Sequence, residues 1–89
     1  MHMVDLTEVL RMLDELSQDR TVPRNVRTAV VKAKEDLANE KLDIGFRVSS
    51  AISILDEVAN DINLPPYSRT QVWNVVSALE TLNAALKKK

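Results

Sequence analysis

The sequence contains no cysteine, and that absence removes several kinds of chemistry at once. Without thiols the chain cannot form disulfides, cysteine zinc sites, iron–sulfur clusters or a thiolate nucleophile. Its one histidine, His2, stands near the N-terminus, and its one glycine, Gly45, cannot make a glycine-rich phosphate loop. We therefore predict a non-enzymatic protein with no catalytic residues, no cofactor, no metal site and no small-molecule substrate.

The chain also has few aromatic residues, no long apolar run and little net charge. The chain has one Trp, one Tyr and one Phe, and its formal net charge is −1, which argues against a generally basic nucleic-acid binder. No apolar run approaches the ~20 residues that a membrane helix requires. The start, MHMVDLTE, lacks the basic and apolar regions of a signal peptide. We expect a cytoplasmic protein that does not associate with membranes.

What the sequence does contain is apolar residues at helical spacing in four windows. We predict helices at about 5–19, 23–40, 43–61 and 66–87. Asp5 and Asp43 are suitable N-caps, and Pro23 suits a first helical turn. Strand-like alternation is absent from the sequence, so we predict an all-α fold.

The chain also repeats itself. The segment LDELSQDRTVPRNVRT begins at Leu13, and LDEVANDINLPPYSRT begins 42 residues later, at Leu55. Nine of 29 aligned positions are identical over residues 10–38 and 52–80. We predict one domain, 1–89, built from two helical hairpins at about 5–40 and 43–87. An up-and-down four-helix bundle is favoured over a HEAT-like stack, because solenoids usually need three or more repeats.

Charged residues recur with the repeat at both predicted turns. Asp19 and Asp61 stand near helix C-terminal ends, where a carboxylate is unfavourable, and Arg27 and Arg69 follow eight residues later. We predict that these pairs are structural clasps across the turns. Alternatively each Asp accepts N–H bonds from its turn. A functional alternative is an anion-binding pair of arginines.

A basic stripe distinguishes the first hairpin. Residues 20–34 include five cations and no acidic residue, and Arg24, Arg27 and Lys34 share one side of the helix. Together with the tail Lys87–Lys89, this stripe could bind a phosphate backbone. A solvated face paired with neighbouring carboxylates is the favoured interpretation.

Trp73 and its counterpart Val31 lie off the apolar stripes of their helices. Either they widen the core face, or they form an exposed patch for a protein partner or a second copy of the chain. The function that we predict is accordingly a protein-interaction or accessory module, with a homodimer among its forms. Association with RNA or DNA through the basic stripe is the alternative.

The stretches DRTVPRNVR and RVSSAISILDEVANDINLPPYSRTQVW resemble an archaeal family of small proteins, uncharacterised protein family 0147. The resemblance covers nearly the whole chain. It departs from the family pattern at Ile62, where Pro is frequent, which makes that turn harder to predict. The resemblance implies an archaeal source, a cytoplasmic location and an up-and-down four-helix bundle, and it supplies no activity.

Overall fold

The computed structural model describes residues 6–87, and these form four helices. Every described helix end lies within two residues of its predicted position, which confirms the spans. The predictions made for His2, for Asp5 as a cap and for the last two lysines lie outside the described residues. The helices are α1 (Leu6–Gln18), α2 (Arg24–Ala38), α3 (Ile44–Ala59) and α4 (Pro66–Lys87).

The helices begin where the sequence offers a reason to begin. Asp43 caps α3, its carboxylate accepting the N–H groups of Gly45 at 3.0 Å and Phe46 at 3.3 Å. Pro23 stands one residue before α2 and makes no side-chain cap. Pro66 is the first residue of α4, where its missing N–H costs nothing.

The helices pack as a closed up-and-down bundle. Within residues 6–87, α1 contacts α2, α2 contacts α3, α3 contacts α4, and α4 returns to α1, while the diagonal pairs do not pack. A HEAT-like stack would instead place α1 on α3 and α2 on α4. The predicted bundle is therefore confirmed, and the α1–α4 seam is the least extensive of its four seams.

The core follows the internal repeat. Its four largest fully buried side chains are two pairs of repeat-related leucines: Leu13 with Leu55, and Leu37 with Leu79. Met12 and its counterpart Ile54 are partly buried against the same core. In the described part of the chain, no helix is long and apolar enough to cross a membrane.

Candidate interaction site

The connection between α3 and α4 is held by Asp61 and Arg69. The Asp61 carboxylate accepts the N–H of Asn63 at 2.8 Å. The Arg69 guanidinium donates to three backbone carbonyl oxygens, those of Ala59, Asp61 and Leu64. Carbonyls at a helix end lack intrahelical partners, so Arg69 satisfies groups that would otherwise need water. Arg69 thus bonds to the backbone oxygen of Asp61, while the Asp61 carboxylate accepts the N–H of Asn63 within the turn.

The connection between α2 and α3 uses the same arrangement, although the long repeat does not reveal it. Asn39 accepts the N–H of Lys41 at 3.0 Å. Arg47 donates to the carbonyls of Leu42 at 3.0 Å and Leu37 at 3.2 Å. Arg47 was not among the predicted residues. A shorter pattern would have identified it. At all three connections, Asp or Asn is followed three residues later by Val or Leu, and five residues after that by Arg.

The connection between α1 and α2 has the same spacing, but its arginine, Arg27, does not bond to the carbonyl groups of the turn. Asp19 Oδ1 accepts the N–H of Thr21 at 2.9 Å and its hydroxyl at 2.6 Å. These bonds, and to a lesser extent the nearby charge of Arg27, hold the pKa of Asp19 below its usual value. The buried Nε of Arg27 has no hydrogen-bond partner. Arg27 therefore contributes charge near Asp19 without the carbonyl bonds that Arg69 makes.

The basic stripe of α2 contains paired and unpaired cations. Lys34 donates to Asp14 of α1 at 2.7 Å, and Lys32 donates to Asp36 at 2.8 Å. Arg24 is exposed and makes no side-chain hydrogen bond or ion pair with residues 6–87. Neutralised lysines offer less potential to a phosphate backbone, so the stripe is weaker than its sequence indicates.

Val31 and Trp73 occupy equivalent places on opposite faces of the bundle. Their exposed fractions are 36% and 47%. Val31 precedes Lys34 by one turn, and Lys34 reaches α1, so Val31 lies on the edge of α2 that faces α1. Trp73 follows Arg69 by one turn, and Arg69 reaches the end of α3, so Trp73 lies on the edge of α4 that faces α3. The predicted surface residues therefore divide: Arg24, Arg27, Val31 and Lys34 stand on one face, and Trp73 on the other.

Two polar contacts bridge the seam between α2 and α3. Asn25 Nδ2 donates to Asp61 Oδ2 at 2.9 Å. Further along the seam, Asp36 is 9% exposed and accepts the Ser50 hydroxyl at 2.7 Å. At the Asn25 end lies a shallow depression of about 150 Å³, here called the α2–α3 groove, lined by Asn25, Val26, Ala29, Ile54, Glu57, Val58 and Asp61.

The seam between α1 and α4 carries the counterpart of that groove. Tyr67 stands where the other seam has Asn25, and its side chain is 72% exposed. Its hydroxyl accepts from Gln71 at 2.7 Å, within the same helix. No side-chain hydrogen bond or ion pair joins residues 8–18 to residues 66–87. This depression of about 100 Å³, the α1–α4 groove, is lined by Met12, Glu15, Leu16, Asp19, Tyr67 and Gln71, each offset by 42 residues from a lining residue of the α2–α3 groove.

The α1 side of this groove is acidic. Arg11 pairs with both Glu8 and Glu15, and with Asp19 these make three carboxylates against one guanidinium, an excess of two negative charges. Asp19 Oδ2 has no hydrogen-bond partner among residues 6–87, whereas the equivalent oxygen of Asp61 accepts from Asn25.

Comparison with known proteins identifies relatives over most of the chain. The model of a family described as "Uncharacterised protein family (UPF0147)" matches residues 2–82. A UPF0147 protein of Methanocaldococcus jannaschii is 51% identical over 75 residues, covering 84% of this chain and 81% of that protein. One of Thermoplasma volcanium is 45% identical, covering 84% of each.

Solved structures have the same fold. The crystal structure of a UPF0147 protein from Thermoplasma acidophilum is similar with a TM-score of 0.83 and 44% identity, covering 86% of this chain and 91% of that one. A protein described as of unknown function matches with the same TM-score and 40% identity, covering 91% and 97%. These neighbours support the four-helix arrangement independently of the helix contacts.

Proposed function

Because the chain belongs to the uncharacterised protein family UPF0147, we propose its function from its own surface: it is a non-enzymatic protein-interaction module of the cytoplasm. The observation that carries this proposal is Trp73, whose side chain is 47% exposed on a bundle with a closed core. Trp is among the residues most enriched at the centres of protein interfaces.

The use of the polar side chains supports the same proposal. Asp43, Arg47 and Arg69 bond helix ends and turns, and Asp14 and Asp36 pair with lysines. These groups are occupied in holding the bundle together. Among residues 6–87, the large apolar or aromatic side chains that are exposed are Val31, Phe46, Ile62, Tyr67, Trp73 and Leu86.

The test compares Trp73→Ser with Phe46→Ser in purification from native cells, with proteins identified by mass spectrometry. Phe46 is 58% exposed and provides a matched loss of an aromatic side chain elsewhere. We expect a partner that the wild type and Phe46→Ser retain and Trp73→Ser loses. Retention of every partner by Trp73→Ser, or repeated recovery of none, would overturn the proposal.

Self-association is one form of this function, and sedimentation tests it separately. If the partner is a second copy, the wild type sediments as a dimer at high concentration and Trp73→Ser as a monomer. A wild-type protein that remains monomeric at high concentration restricts the proposal to other proteins.

Nucleic-acid association is the less supported alternative, favoured by Arg20 and Arg24, which are exposed and form no ion pair with residues 6–87. Lys32 and Lys34 already pair with carboxylates. This alternative requires salt-dependent binding that Arg24→Glu with Lys34→Glu abolishes. The absence of a mobility shift at about 50 mM salt, where phosphate contacts are strongest, would eliminate it.

A further inference from the structure

The two grooves give the molecule an internal control, because equivalent carboxylates meet different surroundings. In the α2–α3 groove, Asp61 Oδ1 accepts a backbone N–H and Oδ2 accepts the amide of Asn25. In the α1–α4 groove, Asp19 Oδ1 accepts the equivalent backbone N–H, and Oδ2 has no partner among residues 6–87. The filled copy therefore shows which chemistry the open oxygen accepts, namely an N–H donor from the opposite wall.

Three features of the walls around Asp19 bear on the ligand, and the first of them distinguishes this groove from the α2–α3 groove. Tyr67 exposes an aromatic ring in the place of the short Asn25 side chain. The rim on α1 has an excess of negative charge. Met12 is only partly buried against the core, so its thioether provides an apolar surface beside the carboxylate.

We propose that the α1–α4 groove docks a basic side chain, Arg or Lys, carried by a partner protein. This inference rests on the proposed function as an interaction module and adds a second contact surface, distinct from Trp73. The cationic N–H groups donate to Asp19 Oδ2, as Asn25 donates to Asp61. A charge-assisted bond of this kind is stronger than a neutral one.

The remaining groove residues fit the rest of a basic side chain. Cations are attracted to the face of an aromatic ring, which Tyr67 presents. The aliphatic stem of Lys or Arg packs on apolar surface while its charged end stays near water, and Met12 and Leu16 offer that surface. The carboxylate of Asp19 sets the sign of the charge that is attracted.

The test uses synthetic amphipathic helical peptides, one with a Leu and Arg pattern and one with Glu replacing Arg. A length of about 15 residues suits a helix of marginal stability in water. Titration into isotope-labelled protein is followed by NMR at about 50 mM salt, where rim charges are little screened. We expect the Arg peptide to cause saturable shifts at Met12, Tyr67 and Gln71, and the Glu peptide to cause none.

The matched variants are Asp19→Asn and Asp61→Asn, which remove the same charge from equivalent places. Asn is compatible with this turn, because Asn39 makes the same bond at the α2–α3 connection. We expect Asp19→Asn to weaken binding about tenfold, as for loss of one charge-assisted hydrogen bond, and Asp61→Asn to leave it unchanged. Tyr67→Asn, which supplies the amide that Asn25 supplies in the other groove, should also weaken binding.

Three results would overturn the inference: no saturable shift, equal weakening by Asp19→Asn and Asp61→Asn, or shifts centred on another face. The outcome is separable from that of the proposed function. Loss of partners in Trp73→Ser with no response of the α1–α4 groove would leave the interaction module standing and remove this second surface.

Discussion

The α2–α3 and α1–α4 seams are the two equivalent junctions between the hairpins of the bundle, and their grooves are lined by residues 42 apart in sequence. Across the first seam, Asn25 reaches Asp61 and Ser50 reaches Asp36. In the second, Tyr67 replaces Asn25, and Ala78 stands in the position equivalent to Asp36. The two seams thus share the apolar pattern that builds the bundle, while side-chain hydrogen bonds bridge only the α2–α3 seam within residues 8–87.

The difference shows that the internal repeat preserves apolar packing more readily than it preserves hydrogen bonds between helices. A leucine contributes to either seam wherever it is buried. A hydrogen bond requires both partners, and losing either one leaves the seam without it. A partner that binds at the unbridged α1–α4 seam would meet an acceptor, Asp19 Oδ2, that has no hydrogen-bond partner among residues 6–87.

Truncation of the equivalent leucines Leu13 and Leu55 should have the largest effect on stability among the changes that compare the two seams. Leu13→Ala and Leu55→Ala should each lower the free energy of unfolding by about 2–5 kcal/mol. We expect the smaller loss for Leu13→Ala, because α1 is not bridged to α4 and can move into the space. Urea unfolding followed by circular dichroism measures both values. A larger loss for Leu13→Ala would contradict the comparison.

Removing the buried carboxylate should make the closed seam resemble the open one. Asp36→Ala loses the bonds to Ser50 and Lys32, and we expect about 1–3 kcal/mol of lost stability. A double-mutant cycle with Ser50→Ala isolates the bond across the seam. The control is Lys32→Ala, which we expect to cost less because the Lys32 side chain is 62% exposed. Strictly additive effects of Asp36→Ala and Ser50→Ala would show that no coupling crosses the seam.

Asn25→Ala probes the exposed bridge and should have a smaller effect. Loss of its bond to Asp61 should cost about 0.5–1 kcal/mol, the range of an ordinary hydrogen bond. Tyr67→Ala is the matched change, because its hydroxyl bonds only within α4. We expect little change in urea unfolding for that variant. Equal losses from the two substitutions would remove the distinction between bridged and unbridged seams.

Acid should weaken the bridged α2–α3 seam. The ammonium of Lys32 and the hydroxyl of Ser50 lower the pKa of Asp36, and Asn25 with the N–H of Asn63 lowers that of Asp61. A depressed folded-state pKa gives stability above the unfolded value of about 4, lost as pH falls through the folded-state pKa.

The measurement for this fourth prediction is urea unfolding across the acid range. The double variant Asp36→Asn, Asp61→Asn should show a shallower decline in stability below about pH 4 than the wild type does. The remaining decline reflects Asp14, Asp19 and Glu8, whose pKa values are lowered by Lys34, Thr21 and Arg11 respectively. An unchanged pH profile would show that neither bridge depends on its charge.

The helices could be predicted because their determinants are local. Apolar spacing located all four, and Asp43 was recognisable as a cap from its position alone. Arg47 was missed because its connection breaks the long repeat: Asp43 stands where the other two connections have Pro. The pairing of Lys34 with Asp14 depends on which helices become neighbours.

The position of Trp73 could be predicted only in part. Its angle off the apolar stripe indicated a flanking residue and favoured a core edge over a surface patch, while the structure leaves Trp73 47% exposed. Its separation from Val31 depends on the way the second hairpin turns back on the first. The α1–α4 groove likewise exists only because the fourth helix returns to the first, which no local pattern encodes.

The two arginine-bonded connections, α2–α3 and α3–α4, have a consequence for how the chain folds. Each bond from Arg47 and Arg69 spans at most ten residues, so these contacts close small loops with low entropic cost. Such low contact order is typical of helical domains that fold in microseconds to milliseconds. We expect α2, α3 and α4 to assemble early around these two turns. The α1–α4 seam, which joins residues far apart in the chain and is the least extensive of the four, would then close last and open first.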